Sequence, residues 1–266
     1  MSLYLGSTKV GSLYLGSTKI GAAYLGNAKV YAASSADPYN PLGLPPYTIR
    51  CEFTEGATPT FTYGTGVQVS ASPNVWDLTY VDTSWYRLLR NQTDLLSVLG
   101  ANSTGVTSFE YAFGGCSAMT DVALFDTTSV TTTKGMFNGC THVTSIPLYD
   151  LSNDTIMTEM FSSCTALTSL PLFNTHNVAY MNYMCKYCSG LRSLPLFDTT
   201  SAYNVTQAFY YCRYVESGAL ALYNQMSSQT TPPTYYPDCF YWCGKQSTTG
   251  AAELAQIPTS WGGTMS

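Results

Sequence analysis

Apolar residues return along this chain with a fixed period. Cys116, Cys140, Cys164, Cys188 and Cys212 stand 24 residues apart. Three positions before them stand Phe113, Phe137, Phe161, Cys185 and Phe209, and three after stand Met119, Val143, Leu167, Leu191 and Val215. The runs "VALFD", "IPLYD", "LPLFN" and "LPLFD" follow at the same spacing. A fifth copy degrades to "GALALY" (218–223), and "CFYWC" (239–243) resumes the pattern after an insertion. Alternation at Leu170 and Leu172 predicts a short strand with both on one face. Val178, Met181, Met184/Cys185 and Cys188 recur at three- to four-residue steps and predict a helical stripe. Neither element can bury its apolar side alone, so neighbouring copies must stack. The expected fold is an α/β repeat solenoid of 24-residue coils with parallel strands.

A second, shorter period opens the chain. Residues 2–31 read "SLYLGSTKVGSLYLGSTKIGAAYLGNAKVY", one ten-residue phrase three times. Each copy predicts a minimal β-hairpin: "LYL", a turn through Gly6-Ser7, Gly16-Ser17 or Gly26-Asn27, then "KV" or "KI". Hairpins this small bury too little surface to stand alone. The array 1–31 is therefore read as an anchoring and oligomerisation element, with Tyr4, Leu5, Tyr14, Leu15, Tyr24 and Leu25 as recurring contacts. Residues 32–46, "AASSADPYNPLGLPP", read as a linker. Residues 47–107 read as a β-rich cap with strands in "YTIRCEFTE", "GVQVSAS" and "NVWDLTYV" and one helix over 84–100. The repeats fill 108–223. Residues 224–266 hold a degenerate last repeat and a C-terminal cap containing Trp242 and Trp261.

Composition narrows the function. Charged residues make up 10% of the chain and the net charge is −5, which gives no footprint for nucleic acid or anionic lipid. No segment has the apolar length to span a bilayer, and the start lacks a signal-peptide pattern, so assembly in a cytoplasm is expected. There are 22 tyrosines, whose stiff amphipathic rings suit recognition surfaces.

Several chemistries are weighed. Equivalent cysteines of stacked copies point the same way, so the five-Cys ladder is read as core thiols, not disulfides. "CKYC" (185–188) resembles half a zinc site, but its two residues fill the Phe and Cys slots of the repeat. Asp126, Asp150, Asn174 and Asp198 form a ladder that either binds calcium or closes Asx turns. Asn174 in the same slot favours turns. Phe125, Tyr149, Phe173 and Phe197 form a stripe that either packs or offers a sugar-stacking platform. No phosphate loop, nucleophile elbow or metalloprotease motif occurs. The expectation is a protein without catalytic residues, metal or cofactor.

Recognition is expected where columns vary while the frame stays fixed. The two positions before the ladder Cys read Gly-Gly, Asn-Gly, Ser-Ser, Lys-Tyr and Tyr-Tyr. Five before it stand Tyr111, Gly135, Glu159, Tyr183 and Gln207. Large aromatics gather toward the C-terminal half: Tyr183, Tyr187, Tyr210, Tyr211, Tyr214, Tyr235, Tyr236, Tyr241 and Trp242. These are the candidate binding residues, with a thickened C-terminal cap as the alternative.

"CTALTSLPLFNTHNVAYMNYMC" and "MFNGCTHVTSIPLYD" resemble the BspA-like leucine-rich repeats of bacterial surface proteins, over about 108–223. Leu167-x-x-Leu170-x-Leu172 is the corresponding strand pattern. That resemblance implies a leucine-rich-repeat-like solenoid and adhesion rather than catalysis. "SPNVWDLTY" (72–80), "LAQIPTSWGG" (254–263) and the opening "YLGSTKV" resemble tailed-phage and prophage virion proteins. Together they imply a virion appendage, fibre or decoration subunit. It would be a homo-oligomer, such as a trimer, bound to other virion proteins through its array and to a host glycan or protein through its repeats. A bacterial surface adhesin is the alternative, and a glycan-acting enzyme the less favoured one.

Overall fold

The structure, a computed structural model, describes residues 37–60 and 64–264, together with the backbone of four short strands between Leu3 and Ala32. These are β1 (Leu3–Leu5), β2 (Thr8–Val10), β3 (Ala22–Leu25) and β4 (Ala28–Ala32). β1 pairs antiparallel with β2, setting Tyr4 opposite Lys9, and β3 pairs with β4, setting Tyr24 opposite Lys29. The first and third decapeptides thus each form a hairpin. The second, with Tyr14 and Leu15, lies outside the described residues.

The largest sheet is open and mixed. Its strands are β5 (Thr48–Phe53), β6 (Thr65–Ala71), β7 (Asn74–Thr79), β8 (Leu95–Asn102) and β9 (Asp121–Val122), in the order β6-β7-β5-β8-β9. All neighbours run antiparallel except β8 and β9. Alternation explains β5: Ile49, Cys51 and Phe53 turn into the core, while Arg50 pairs bidentately with Asp77 on the facing strand, both contacts at 2.6 Å. The Pro-rich segment before β5 packs on β8, where Leu42 covers Gly100 and Asn102 Nδ2 donates to the Leu44 carbonyl at 2.8 Å.

The α/β solenoid expected from the sequence is not what forms. Among the described residues there are two short α-helices: α1 (Ala219–Ser227), which starts in the degraded fifth copy, and α2 (Thr248–Leu254), beyond it. In the repeats before α1, β9 is the one named strand, and the rest is turns and irregular chain. The 24-residue period survives in the backbone as single parallel bridges, Ser84–Ser108–Thr132–Ile156–Tyr180–Asn204, and the series continues across the insertion to Tyr235.

Two features of the chain exclude the predicted elements. Each repeat carries two left-handed residues, among them Tyr111 (φ 53°) and Gly115 (80°), Glu159 (58°) and Ser163 (63°), Tyr183 (60°) and Tyr187 (64°). A left-handed residue interrupts a right-handed helix. Amides therefore alternate in their partners. Met136, Asn138 and Cys140 donate back within the turn, each at 3.0 Å, to Thr133, Gly135 and Phe137. Thr133, Gly135, Phe137 and Gly139 donate instead to Ile156, Thr158, Met160 and Ser162 of the next repeat, at 2.8–3.1 Å. The same alternation replaces the helix expected over 84–100: Arg87 (φ 54°) and Asn91 (63°) are left-handed, Trp85, Leu89 and Asn91 donate to the following repeat, and β8 takes the end of the segment.

The expected repeat strand fails at proline. Pro171 has no N–H for a ladder, and the Phe173 amide folds back to the Pro171 carbonyl at 3.0 Å. Leu170 is consequently buried at 8% exposure while Leu172 is 60% exposed, so the two do not share a face. Pro147 and Pro195 do the same in their repeats.

One continuous core runs from the sheet to Trp261. Phe113, Phe137 and Phe161 stack at 5.6 and 6.0 Å between centroids. Phe125, Tyr149, Phe173 and Phe197 are at most 2% exposed, so that stripe packs the interior and offers no platform. At the far end the Glu253 carboxylate of α2 accepts from the amides of Gly218 and Leu220 at the start of α1, satisfying donors a helix start leaves open. Trp261 stacks on Tyr236 at 4.2 Å and meets Tyr223 edge-on, closing the core.

Candidate recognition surface

The left-handed columns place the variable side chains. Glu159, Tyr183 and Gln207 occupy one column, and Ser163, Tyr187, Tyr211 and Trp242 the other, all with φ between 51° and 64°. Neighbouring repeats are joined by backbone hydrogen bonds at these residues, as in Tyr187 N to Tyr210 O at 2.8 Å and Tyr211 N to Tyr241 O at 2.8 Å. The side chains of successive repeats therefore come into register.

Six of the candidate residues meet in one cluster. Tyr210 stacks on Tyr211 at 4.7 Å and on Tyr241 at 5.2 Å, and Tyr211 stacks on Trp242 at 5.2 Å with planes 6° apart. Tyr187 meets Tyr210 and Tyr211 edge-on at 5.7 and 5.8 Å. Tyr183 joins through Lys186, whose Nζ lies 5.0, 5.2 and 5.1 Å from the rings of Tyr183, Tyr187 and Tyr210. Arg213 lies 4.7 Å from the Tyr211 ring and 5.7 Å from that of Trp242. Cations over aromatic faces are attractive by about 0.5–2 kcal/mol each, more where water is excluded.

Beside this cluster is a depression of about 320 Å³. It is lined by Glu159, Ser162, Ser163, Tyr183, Lys186 and Tyr187, with Asn138 next to Glu159. Glu159 Oε2 accepts from the Tyr111 hydroxyl at 2.9 Å and from Asn138 Nδ2 at 3.2 Å. Lys186 Nζ donates to Gln207 Oε1 at 2.8 Å. Partial burial, and then the bond to Glu159, push the Tyr111 hydroxyl up to about 12.

The remaining candidates lie elsewhere. Tyr235 belongs to a second exposed group with Tyr203, at 5.2 Å, and Tyr180 beyond it. Tyr214 sits apart under Arg192 at 5.0 Å. Tyr236 is partly buried against Trp261 and serves the cap. Lys186, Gln207, Glu159 and Tyr111 stand in the variable columns read above without being among the candidate binding residues, and Arg213 lies in the column just after the ladder Cys.

The two ladders are structural in geometry. Each ladder thiol is buried and donates to a carbonyl 27 positions earlier: Cys116 to Leu89, Cys140 to Phe113, Cys164 to Phe137, Cys188 to Phe161 and Cys212 to Cys185, at 2.8–3.2 Å. Burial pushes the thiols of Cys140, Cys164 and Cys212 well above the ordinary range. Oδ1 of Asp126, Asp150, Asn174 and Asp198 accepts the amide two residues on, at 2.9–3.3 Å, which is an Asx turn. Among the described residues no group of three or more His, Cys, Asp or Glu is placed to hold a metal ion. No helix among them is long and apolar enough to cross a membrane.

The family model described as "Mycoplasma protein of unknown function, DUF285" matches residues 107–220. That span covers nearly all of the repeats, β9 included, and leaves β5 to β8 and the C-terminal cap outside. Comparison with curated proteins and with solved structures gives no match.

Proposed function

We propose that this chain is a non-enzymatic attachment protein of a phage particle, with the N-terminal decapeptide array holding it to other virion proteins and the Tyr-rich face of the repeats binding a host-surface glycan or protein. One observation carries the binding role: Tyr183, Tyr187, Tyr210, Tyr211, Tyr241 and Trp242 gather with two cations on one face. Tyr187 and Tyr241 are 44% and 37% exposed, and earlier repeats hold Gly or Ser at the equivalent of Tyr187. Packing of the repeat does not call for a ring there. Large stiff amphipathic side chains supply contact area at low entropic cost. The virion setting rests on the sequence resemblance of the flanks and of the opening repeat.

The test has two arms. Labelled full-length protein is titrated onto host bacteria, comparing the native chain with Tyr187→Ser/Tyr210→Ser/Tyr211→Ser and with Tyr214→Ser. The triple variant should lose at least tenfold in binding with its secondary structure intact, and Tyr214→Ser should not. Antibodies to the chain should decorate particles on electron-microscope grids. A folded triple variant that binds like the native protein removes the recognition role, and undecorated particles remove the virion role.

A further inference from the structure

We infer that the depression between Glu159 and Lys186 is a subsite for one uncharged, hydroxyl-rich ring of a glycan. The inference rests on the binding role proposed above and names its ligand class. At about 320 Å³ the depression is at the small end of ligand sites, enough for one or two sugar rings.

The two charges that line it are already answered by the protein. Lys186 lies near three tyrosine faces and donates to Gln207. Glu159 holds the Tyr111 hydroxyl and Asn138 on a single oxygen, Oε2. A ligand need not bring a counter-charge for either. Both groups keep spare hydrogen-bonding capacity, since an ammonium has three donors and a carboxylate two oxygens. Lys186 is left with donors, and Glu159 Oε1 is an acceptor with no partner among the described residues. A ligand hydroxyl both donates and accepts, so vicinal hydroxyls answer this pair. The Ser162 and Ser163 hydroxyls extend the polar lining, and Tyr183 and Tyr187 supply ring surface for the apolar side of a pyranose.

The stacked part of the cluster lies outside the depression. The rings of Tyr210, Tyr211, Tyr241 and Trp242 pack on one another at 4.7–5.2 Å, and none of them lines it. They can extend the contact to a longer chain, while Tyr183 and Tyr187 sit in the depression itself.

The experiment is saturation-transfer NMR and calorimetry on the full chain. The probes are neutral disaccharides (lactose, cellobiose, N,N′-diacetylchitobiose), anionic 6′-sialyllactose and the cationic glucosamine dimer. At least one neutral disaccharide should bind and protect Lys186 of the native chain from acetylation by an N-hydroxysuccinimide ester, read by mass spectrometry. Lys186→Met and Tyr183→Ala should weaken that binding more than tenfold. Glu159→Gln, which keeps an acceptor but not the charge, should weaken it less than threefold. Binding of charged probes alone, or collapse of binding in Glu159→Gln, overturns the inference. If no disaccharide binds or protects Lys186 while the chain still attaches to cells, the subsite is wrong and the attachment role stands. If attachment fails too, both fall.

Discussion

Tyr111 reaches Glu159 by lying across Gly135. Its hydroxyl meets the carboxylate at 2.9 Å over a separation of two repeats, and a Cβ on Gly135 would overlap Cδ1 and Cε1 of the ring. Gly135 is left-handed at φ 60°, and Arg90 and Lys134 lie 4.7 and 5.6 Å from the Tyr111 ring. The glycine is needed twice, for its backbone and for the space above it.

Gly135→Ala should therefore cost more than a left-handed alanine alone, about 2–3 kcal/mol in total. It should also free Tyr111, so that the tyrosine which titrates near 12 moves back toward its ordinary value. Urea unfolding and ultraviolet pH titration read the two effects. An unmoved titration with Gly135→Ala would mean that the ring does not depend on the gap.

The thiol ladder makes a graded prediction at Cys164, which donates to the Phe137 carbonyl at 3.1 Å. Cys164→Ser retains a donor toward that carbonyl and should cost about 1 kcal/mol or less. Cys164→Ala removes donor and volume together and should cost about 1–3 kcal/mol. In the folded protein Cys164 should resist iodoacetamide, being buried with a raised pKa, and react once denatured. Fast alkylation of the native chain, or a serine variant worse than the alanine, would contradict the ladder.

Asp154 stands fully buried in a column whose other members are Val106, Val130, Val178 and Ala202. Desolvation raises its carboxyl to about 6, against the bonds from the Thr133 hydroxyl and the Ile156 amide that favour the charged form. A folded pKa above the unfolded one stabilises below the unfolded value, and that contribution is lost as pH rises through 6. Between pH 4 and pH 7.5 the residue should remove about 2–3 kcal/mol. Asp154→Asn should flatten that slope and be the more stable protein at pH 7.5. Parallel pH–stability curves for the two would refute the assignment.

Ser163 is left-handed at φ 63° where Gly115 and Gly139 stand in the equivalent slots. Ser163→Gly should stabilise the protein by about 0.5–1 kcal/mol, since glycine adopts this conformation without strain. The melting temperature reads the gain directly, and a decrease would show that the serine hydroxyl matters more than the backbone.

Much of the interior was legible because burial repeats with the sequence. The Cys and Phe columns define it, and the Asp126 and Asp198 turns follow from their "DTT" motifs. The strand Thr48–Phe53 is written in its alternation. The repeat's local conformation was not legible. Val178, Met181 and Met184 have helical spacing, yet left-handed Tyr183 and Tyr187 break the turn, and tyrosine does not announce that conformation. Gly115, Gly135 and Gly139 in the same columns are the hint. Pro147, Pro171 and Pro195 likewise spoke against a strand. At the candidate site six of the aromatic candidates meet on one face. Tyr236 went astray because exposure depends on Trp261, a partner 25 positions away with no periodic relation to it.

The hydrogen bonds that join one repeat to the next also decide how the protein would carry load. Thr133, Gly135, Phe137 and Gly139 make four such bonds to the following repeat. A pull that separates the repeats one from another, as drag on a tethered particle would exert, stretches these bonds along their length. They would open rung by rung instead of shearing together. Each released repeat of 24 residues pays out about 80 Å of chain. A chain built this way should lengthen in steps under tension, so that the remaining repeats stay folded after the first rung gives way.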